Sequence, residues 1–579
     1  MLVPTPTDSD MPTRIADFPT LPQALDYAAA GRNGINFYSG KGELTEALSY
    51  RTLREQAQTL ARAMLAAGLQ PGDRVALIAD TDGDFVRSFA ACQYAGLVPT
   101  ALPLPAAFGG RQAYVDHIRR MIEIADASAA LAPTALVEWL TEACAGLNLK
   151  AVGTLAVFTP GAGADLELPA VKPDDLCYLQ FSSGSTRFPL GVAVTQQALM
   201  ANALGIARDG LKIREGDRCV SWLPFYHDMG LIGFLLTPLT CQISIDLMAT
   251  RDFARRPLLW LELISRNGGT LSYSPTFGYE LAARRAETAP IEHLNLSTWR
   301  GAGIGGDMVR PEPLSKFAER FAGNGFKASA FVPSYGMAEA ALALSFAPLG
   351  QGIRYDRLDT ERLERDHVAV IADASTGRHR DFVLCGPALP DHAFEVRSEA
   401  GAVLVEGQIG RIFARGPSLM QSYYGQPEAT AAVLSEDGWL DTGDLGYFRG
   451  DQIVITGRAK DLIIVNGRNI WPQDLEWTAE REVEALRSGD VAAVSVDSGG
   501  AERIVVLVEY RVGDEQARDV LCKEVANVLR SRHGVETDVV TVPPRTLPRT
   551  SSGKLSRSKA KAMYLQGTFA PGAVTTPSV

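Results

Sequence analysis

What this chain of 579 residues lacks narrows its nature before any motif is read. Cysteine is scarce and scattered: seven residues, at 92, 144, 177, 219, 241, 385 and 522, with no CxxC pair. That pattern excludes a disulfide framework and a cysteine-built zinc site, and it fits reduced thiols in a cytoplasmic protein. Histidine is equally sparse, seven in all, and no two stand four residues apart on one helical face. No apolar run reaches the roughly 18–20 residues of a membrane-spanning helix. The longest, MGLIGFLLTPL (229–239), falls well short, and the polar start MLVPTPTDSDMPTR lacks the basic and apolar parts of an export signal. Basic excess is missing too. The net charge of −11 argues against a nucleic-acid partner, which would want a basic face.

The rest is an ordinary globular composition, 46% hydrophobic and 21% charged. The length exceeds what one hydrophobic core organises, so several domains are expected. YRTLREQAQTLARAMLAAGL (50–69) sets Leu53, Ala57, Leu60, Ala61, Met64 and Leu65 on one helical face, with Gly68 as a stop. DRVALIAD (73–80) reads as a buried strand and DFVRSFAACQYAGL (84–97) as the next helix. Recurrence of this alternation at 193–223 and 257–275 predicts an α/β architecture with buried sheets. Short strands broken by Gly, Pro and Asp predict a smaller β-rich unit over about 381–456. From about 458 the pattern becomes α+β: a strand pair, a helix from about Pro472, then strand, strand and helix through 535. The Pro-, Thr- and Gly-rich tail from about 566 reads as linker-like.

Several short stretches carry chemistry. SSGSTRFPLG (182–191) follows a buried strand, LCYLQF (176–181). Its Ser182, Ser183, Gly184, Ser185 and Thr186 offer backbone N–H groups and hydroxyls to a phosphate. It is not a Walker A loop, since no Gly-Lys-Ser/Thr follows, and taken alone it is equally a plain connection. GAGIGG (301–306) matches G-x-G-x-x-G in form only, because no acid stands about 20 residues on; a glycine-rich turn with close backbone approach is expected instead. WLPFYHDMG (222–230) holds the pair His227–Asp228, YGMAEA (335–340) an aromatic and a carboxylate, and DTGD (441–444) two acids in a turn. PRTSSGKLSR (548–557) presents Lys554 on a Gly-Ser arm.

In order and spacing these stretches, with GRAKDLIIVNGRN (457–469), resemble the acyl-adenylate-forming superfamily from about residue 20 to 565. SWLPFYHDMGLIG, GRNIWPQDLE, Ala338 within Tyr-Gly-Met-Ala-Glu, and a long stretch at roughly 345–380 between Glu339 and Cys385 are most similar to its fatty acyl-AMP ligases. The resemblance implies a large N-terminal region over 1–457, made of two sheet–helix subdomains and a β-barrel, and a small mobile domain over 458–579. It implies ATP and Mg²⁺ as cofactors, a fatty acid as substrate, and transfer of the acyl group to an acyl carrier protein. By the same resemblance the loop at 182–186 holds the β,γ-phosphates, and His227 lies by the α-phosphate and acyl carboxylate. Gly305, Gly306 and Asp307 flank the adenine, on which Tyr335 stacks, with Gly336, Met337 and Ala338 beside it. Glu339 coordinates Mg²⁺, Asp444 and Arg458 hold the ribose, Lys460–Asp461 is the hinge, and Lys554 bridges carboxylate and α-phosphate.

The sequence departs from the family at two places. Leu190 stands where the phosphate loop usually carries Lys, and Arg187 is the cation that can take over its role. Ile304-Gly305-Gly306-Asp307-Met308 replaces the usual Asn-Gly-Ala-Glu-Pro, which weakens the adenine role of Asp307. An acyl-CoA synthetase and a non-catalytic ligand-binding relative are the competing readings.

Overall fold

The computed structural model describes residues 12–105, 110–182, 189–465, 468–498, 501–511, 515–550 and 554–569. Two large sheets form its body. One has seven strands, ordered Ser422–Tyr423, Gly191–Thr195, Leu176–Phe181, Val98–Leu102, Arg74–Ile78, Ala127–Leu131 and Ala151–Gly153. The other has eight, ordered Ala343–Phe346, Phe331–Gly336, Gly301–Ile304, Leu271–Ser274, Arg218–Ser221, Ser244–Met248, Gly34–Tyr38 and Leu44–Ser49. Its six inner strands run parallel and its edges antiparallel. Helices cover both sheets, which is why strands such as Val98–Leu102 and Ser244–Met248 are buried throughout rather than alternating.

Local chemistry sets the helix starts. Ser49 caps Tyr50–Ala66 through the Thr52 N–H, and Asp82 caps Gly83–Tyr94 through the Phe85 N–H. Leu53, Ala57, Ala61 and Met64 bury the expected face, Leu60 and Leu65 flank it half-buried, and Gly68 turns away at φ +91°. GAGIGG is a correction. Gly301–Ile304 is an inner parallel strand, and only Gly305–Gly306 form the turn. The glycine there serves packing: a Cβ on Gly303 would stand 1.8 Å from Tyr273 Cζ.

Ala393–Arg397, Gly410–Arg415, Leu440–Arg449 and Gln452–Arg458 form a four-stranded antiparallel sheet. The chain after it builds a separate core on the sheet Val491–Ser498, Ala501–Glu509 and Thr537–Val542, covered by Pro472–Glu482, Glu515–His533 and Arg557–Leu565. The long stretch after Glu339 folds into an antiparallel pair, Tyr355–Asp359 with His379–Val383, joined through the helix Thr360–Asp366. This hairpin grips the C-terminal core. Arg380 Nη1 lies 2.6 Å from Asp474 Oδ1, both residues buried. Buried Glu364 holds Arg378 and Arg468 together, at 2.6 and 2.7 Å. Leu358, Leu363 and Phe382 pack with Trp471 in one apolar cluster.

Candidate active site

Two joined cavities, about 440 and about 210 Å³, lie where the two large sheets, the four-stranded sheet and the C-terminal core meet. Both are walled by Gly306, Tyr335, Gly336, Arg458, Lys460 and Lys554.

Each wall residue is set by the element that carries it. The strand Leu176–Phe181 ends at Ser182, whose N–H donates to the Leu190 carbonyl at 2.9 Å. Ser182 and half-buried Leu190 line the larger cavity. Ser183, Gly184, Ser185, Thr186 and Arg187 lie outside the described residues. After Arg218–Ser221 the chain turns so that His227 Nδ1 comes 2.5 Å from Asp228 Oδ1, which also accepts the Met229 N–H at 2.8 Å. Burial alone would raise the Asp228 carboxyl; His227 and the more distant Lys554 hold it below its usual value. The next segment, Met229–Leu236, is wound as a π-helix, as is Gly205–Gly210, a rare geometry that recurs at functional sites.

Tyr335 ends an inner strand of the eight-stranded sheet and donates its hydroxyl to Asp444 Oδ2 at 2.7 Å. Asp444 faces Arg458 across the ladder of the four-stranded sheet, Nε to Oδ1 3.5 Å. Burial raises the Asp444 carboxyl while Arg458 opposes the rise. Gly305, Met337 and Ala338 line the larger cavity with Glu339. Asp307 is exposed on the rim of the smaller one and accepts the N–H of its neighbour Met308. Lys460 reaches both cavities from the turn Ala459–Asp461, and Asp461 Oδ2 holds Arg557 at 3.1 Å.

Lys554 is pinned by its own backbone, which exchanges hydrogen bonds with Thr550. Desolvation lowers its ammonium pKa, and Asp307, Asp228 and Asp444 work against that. The arm therefore brings Lys554 to the junction of the cavities beside Arg458 and Lys460, in the field of three carboxylates. Residues 551–553 of that arm lie outside the described residues.

Some wall residues escape sequence reasoning. Tyr423 donates to Glu339 Oε1 at 2.8 Å, and Gln180, buried, donates to the Tyr226 carbonyl at 2.7 Å. Neither sits in a recognisable spacing. Two stretches, Trp222–Gly233 and Ser272–Tyr279, supply part of the cavity lining. Tyr226–Met229, Gly233 and Tyr273 line the larger cavity. Trp222 instead stacks on Phe253 at 3.9 Å, and Tyr279 packs on Trp299 behind the sheet. Ile206, Leu211, Phe234, Leu342 and Phe346 complete the apolar wall.

A model of the family described as AMP-binding enzymes matches residues 27–424. The chain belongs to the AMP-binding enzyme family. A Caulobacter vibrioides protein named "Putative acyl-CoA synthetase" is 58% identical over 98% of this chain and 99% of its own. A medium-chain-fatty-acid–[acyl-carrier-protein] ligase of Moorena producens is 30% identical over 96% of each. Among solved structures, one from a study of fatty acyl-adenylate ligases of E. coli and L. pneumophila aligns with a TM-score of 0.91 and 44% identity, over 97% of this chain and 100% of that one. This AMP-binding enzyme is thus an ATP-dependent ligase that forms acyl adenylates, with ATP and Mg²⁺ as cofactors.

The residues present fit a magnesium ion. Among the described residues no group of three His, Cys, Asp or Glu gathers into a cage. Glu339 is a buried carboxylate, raised in pKa by that burial, with no ion-pair partner among the described Lys and Arg. One carboxylate plus phosphate oxygens and water is how Mg²⁺ is commonly held beside nucleotides.

Proposed function

We propose that this AMP-binding enzyme is a fatty acyl-AMP ligase that hands its product to an acyl carrier protein. The observation that carries the reading is the larger cavity itself: His227, Arg458, Lys460 and Lys554 line one part of it, and Ile206, Leu211, Phe234, Leu342 and Phe346 another. A carboxylate with a long hydrocarbon tail fits that polarity and a nucleotide's phosphates meet it at the charged part.

In the first half-reaction a carboxylate oxygen bonds to the α-phosphorus, the bond from that phosphorus to the bridging oxygen breaks, and pyrophosphate leaves. Negative charge accumulates on oxygens already crowded with it, so positioned cations supply most of the catalysis. Lys554 bridges the carboxylate and α-phosphate, and His227, held by Asp228, lies beside them. Tyr335 stacks on the adenine flanked by Gly305, Gly306 and Asp307, with Gly336, Met337 and Ala338 beside it; Asp444 and Arg458 take the ribose. The 182–186 loop takes the β,γ-phosphates, with Arg187 supplying the charge that Leu190 lacks. Glu339 would hold Mg²⁺, which would supply charge neutralisation to the phosphate oxygens. In the second half-reaction a pantetheine thiol, losing its proton, bonds to the acyl carbon and AMP leaves with the mixed-anhydride oxygen. For this step residues 458–579 turn as a mobile domain about Lys460–Asp461.

Transfer to a carrier rather than to free coenzyme A is supported by the Moorena producens relative, whose name makes an acyl-carrier protein its acceptor. The 355–383 hairpin is tied to Asp474 and Arg468, so the turn of the C-terminal part has to break those ion pairs whichever thiol accepts the acyl group. An acyl-CoA synthetase is the second reading, favoured by the name of the 58% identical relative. The test of the first half-reaction is mass spectrometry of enzyme, fatty acid, ATP and Mg²⁺. Acyl-adenylate and pyrophosphate are expected, and Lys554→Ala should lower their formation by about 10²–10³-fold without unfolding the protein. Near-normal adenylation by that variant would refute the assignment.

A further inference from the structure

Two rings in the lining of the larger cavity, Tyr273 and Phe346, are both buried and meet edge to face with centroids 6.3 Å apart. Each ring lies against a glycine that is not itself part of the cavity lining. A Cβ on Gly210 would stand 2.7 Å from Phe346 Cδ2, and one on Gly303 would stand 1.8 Å from Tyr273 Cζ. The glycines therefore lie behind the rings, and the cavity before them. Gly210 is the last residue of the π-helix Gly205–Gly210, whose Ile206 lines the same cavity, as does the adjoining Leu211.

Resting on the fatty acyl-AMP ligase reading, we propose that Phe346, seated on Gly210 and braced by Tyr273, is the chain-length selector of this enzyme. It selects by length: the methyl end of the acyl chain stops against these two rings. The physical argument is packing. A chain one methylene too long must displace a ring that has backbone behind it, and close-packed interiors resist such displacement. A chain one methylene short leaves a void before the rings and forfeits the burial of that group. Because each ring is held from behind by backbone, the wall has little freedom to retreat. Aliphatic side chains at positions 273 and 346 would leave a deeper and softer pocket.

The inference predicts opposite effects from two substitutions. Phe346→Ala removes the wall and admits longer chains. Gly210→Ala puts a methyl group behind the Phe346 ring, drives the ring into the cavity and favours shorter chains. One methylene in an apolar pocket discriminates by about tenfold or more, so the changes are readable in relative kcat/KM. The experiment is pyrophosphate release by the purified full chain with ATP, Mg²⁺ and each saturated acid from hexanoate to octadecanoate in turn. The wild type, Phe346→Ala, the milder Phe346→Leu and Gly210→Ala are compared, with thermal melting to confirm folding. The expected result is an optimum displaced to longer acids in both Phe346 variants and to shorter acids in Gly210→Ala, with KM for ATP within about twofold of wild type. Identical chain-length profiles in folded variants would overturn the selector. A wild type that activates no fatty acid at all would instead sink the ligase reading on which it rests.

Discussion

The Tyr335 hydroxyl donates to Asp444 Oδ2 at 2.7 Å, and so links the end of an inner parallel strand to the four-stranded antiparallel sheet. The Tyr335 ring and the Asp444 carboxylate, the proposed partners of base and ribose, are thereby fixed relative to each other. Asp444 is buried, and apart from Arg458 on the facing strand this phenol is the group that orients it. Tyr335→Phe keeps the ring and removes the bond. Losing one partner of a buried carboxylate costs about 1–2 kcal/mol. KM for ATP should rise by about 5–30-fold at that cost, with kcat less affected, in a steady-state assay of pyrophosphate release. An unchanged KM would show that Arg458 alone orients Asp444.

The phosphate loop poses a separate question. Leu190 lines the larger cavity and brings no charge to it. If Arg187 replaces the missing lysine, Arg187→Ala should raise KM for ATP by about tenfold or more, while Arg187→Lys restores part of the loss. Isothermal titration with ATP and a steady-state series would both report it. Unchanged kinetics in Arg187→Ala would contradict the substitution of one cation for the other.

The hairpin's grip on the C-terminal core rests on Arg380 and Asp474. The Arg380 guanidinium also lies over the Phe382 and Trp477 rings, 4.4 and 5.1 Å from their centroids. Removing Asp474 leaves that guanidinium buried without its counter-ion, which costs about 3–5 kcal/mol. Asp474→Ala should therefore lower the denaturant midpoint clearly, whereas the double change Arg380→Met with Asp474→Leu should recover most of it. Equal losses in both variants would mean that packing, not charge, holds the hairpin.

One half-buried acid, Glu480, makes stability depend on pH. Burial, with Glu476 nearby, pushes the Glu480 carboxyl up to about 8; the Gly489 and Val491 N–H groups and Arg310 oppose the rise. The sign follows from linkage. A carboxyl whose pKa is higher folded than unfolded stabilises the fold while it is protonated, below the unfolded value. That stability is lost as pH rises through about 8. Melting temperatures of wild type and Glu480→Gln should converge near pH 5 and separate by pH 9, the wild type falling further. Parallel profiles would exclude Glu480 as the source.

Much of this molecule is legible in its sequence, and the reasons are local. The alternation around 50–97 gives the helix and strand order because capping by Ser49 and Asp82 and the apolar face of Leu53, Ala57, Ala61 and Met64 act within a few residues. Lys554, Asp444, Arg458, Glu339 and Tyr335 meet at one junction because each is set in a motif with a fixed place in the fold. Gly301–Ile304 misleads, since glycine suggests a turn and the need for it comes from Tyr273 on the neighbouring strand. Tyr423, Ile206 and Phe346 are silent in the sequence for the same reason. They reach the cavity from three separate segments, and only the folded sheets bring them together.

The proposed function requires that acyl groups leave this enzyme on a carrier protein. The most direct measurement is intact-mass and small-molecule mass spectrometry of one reaction holding fatty acid, ATP and Mg²⁺, divided between equimolar coenzyme A and a holo acyl carrier protein. Acyl-adenylate is expected in both halves, acyl-carrier in the second, and little or no acyl-CoA in the first. Acyl-CoA formed as fast as acyl-carrier, or faster, would contradict it.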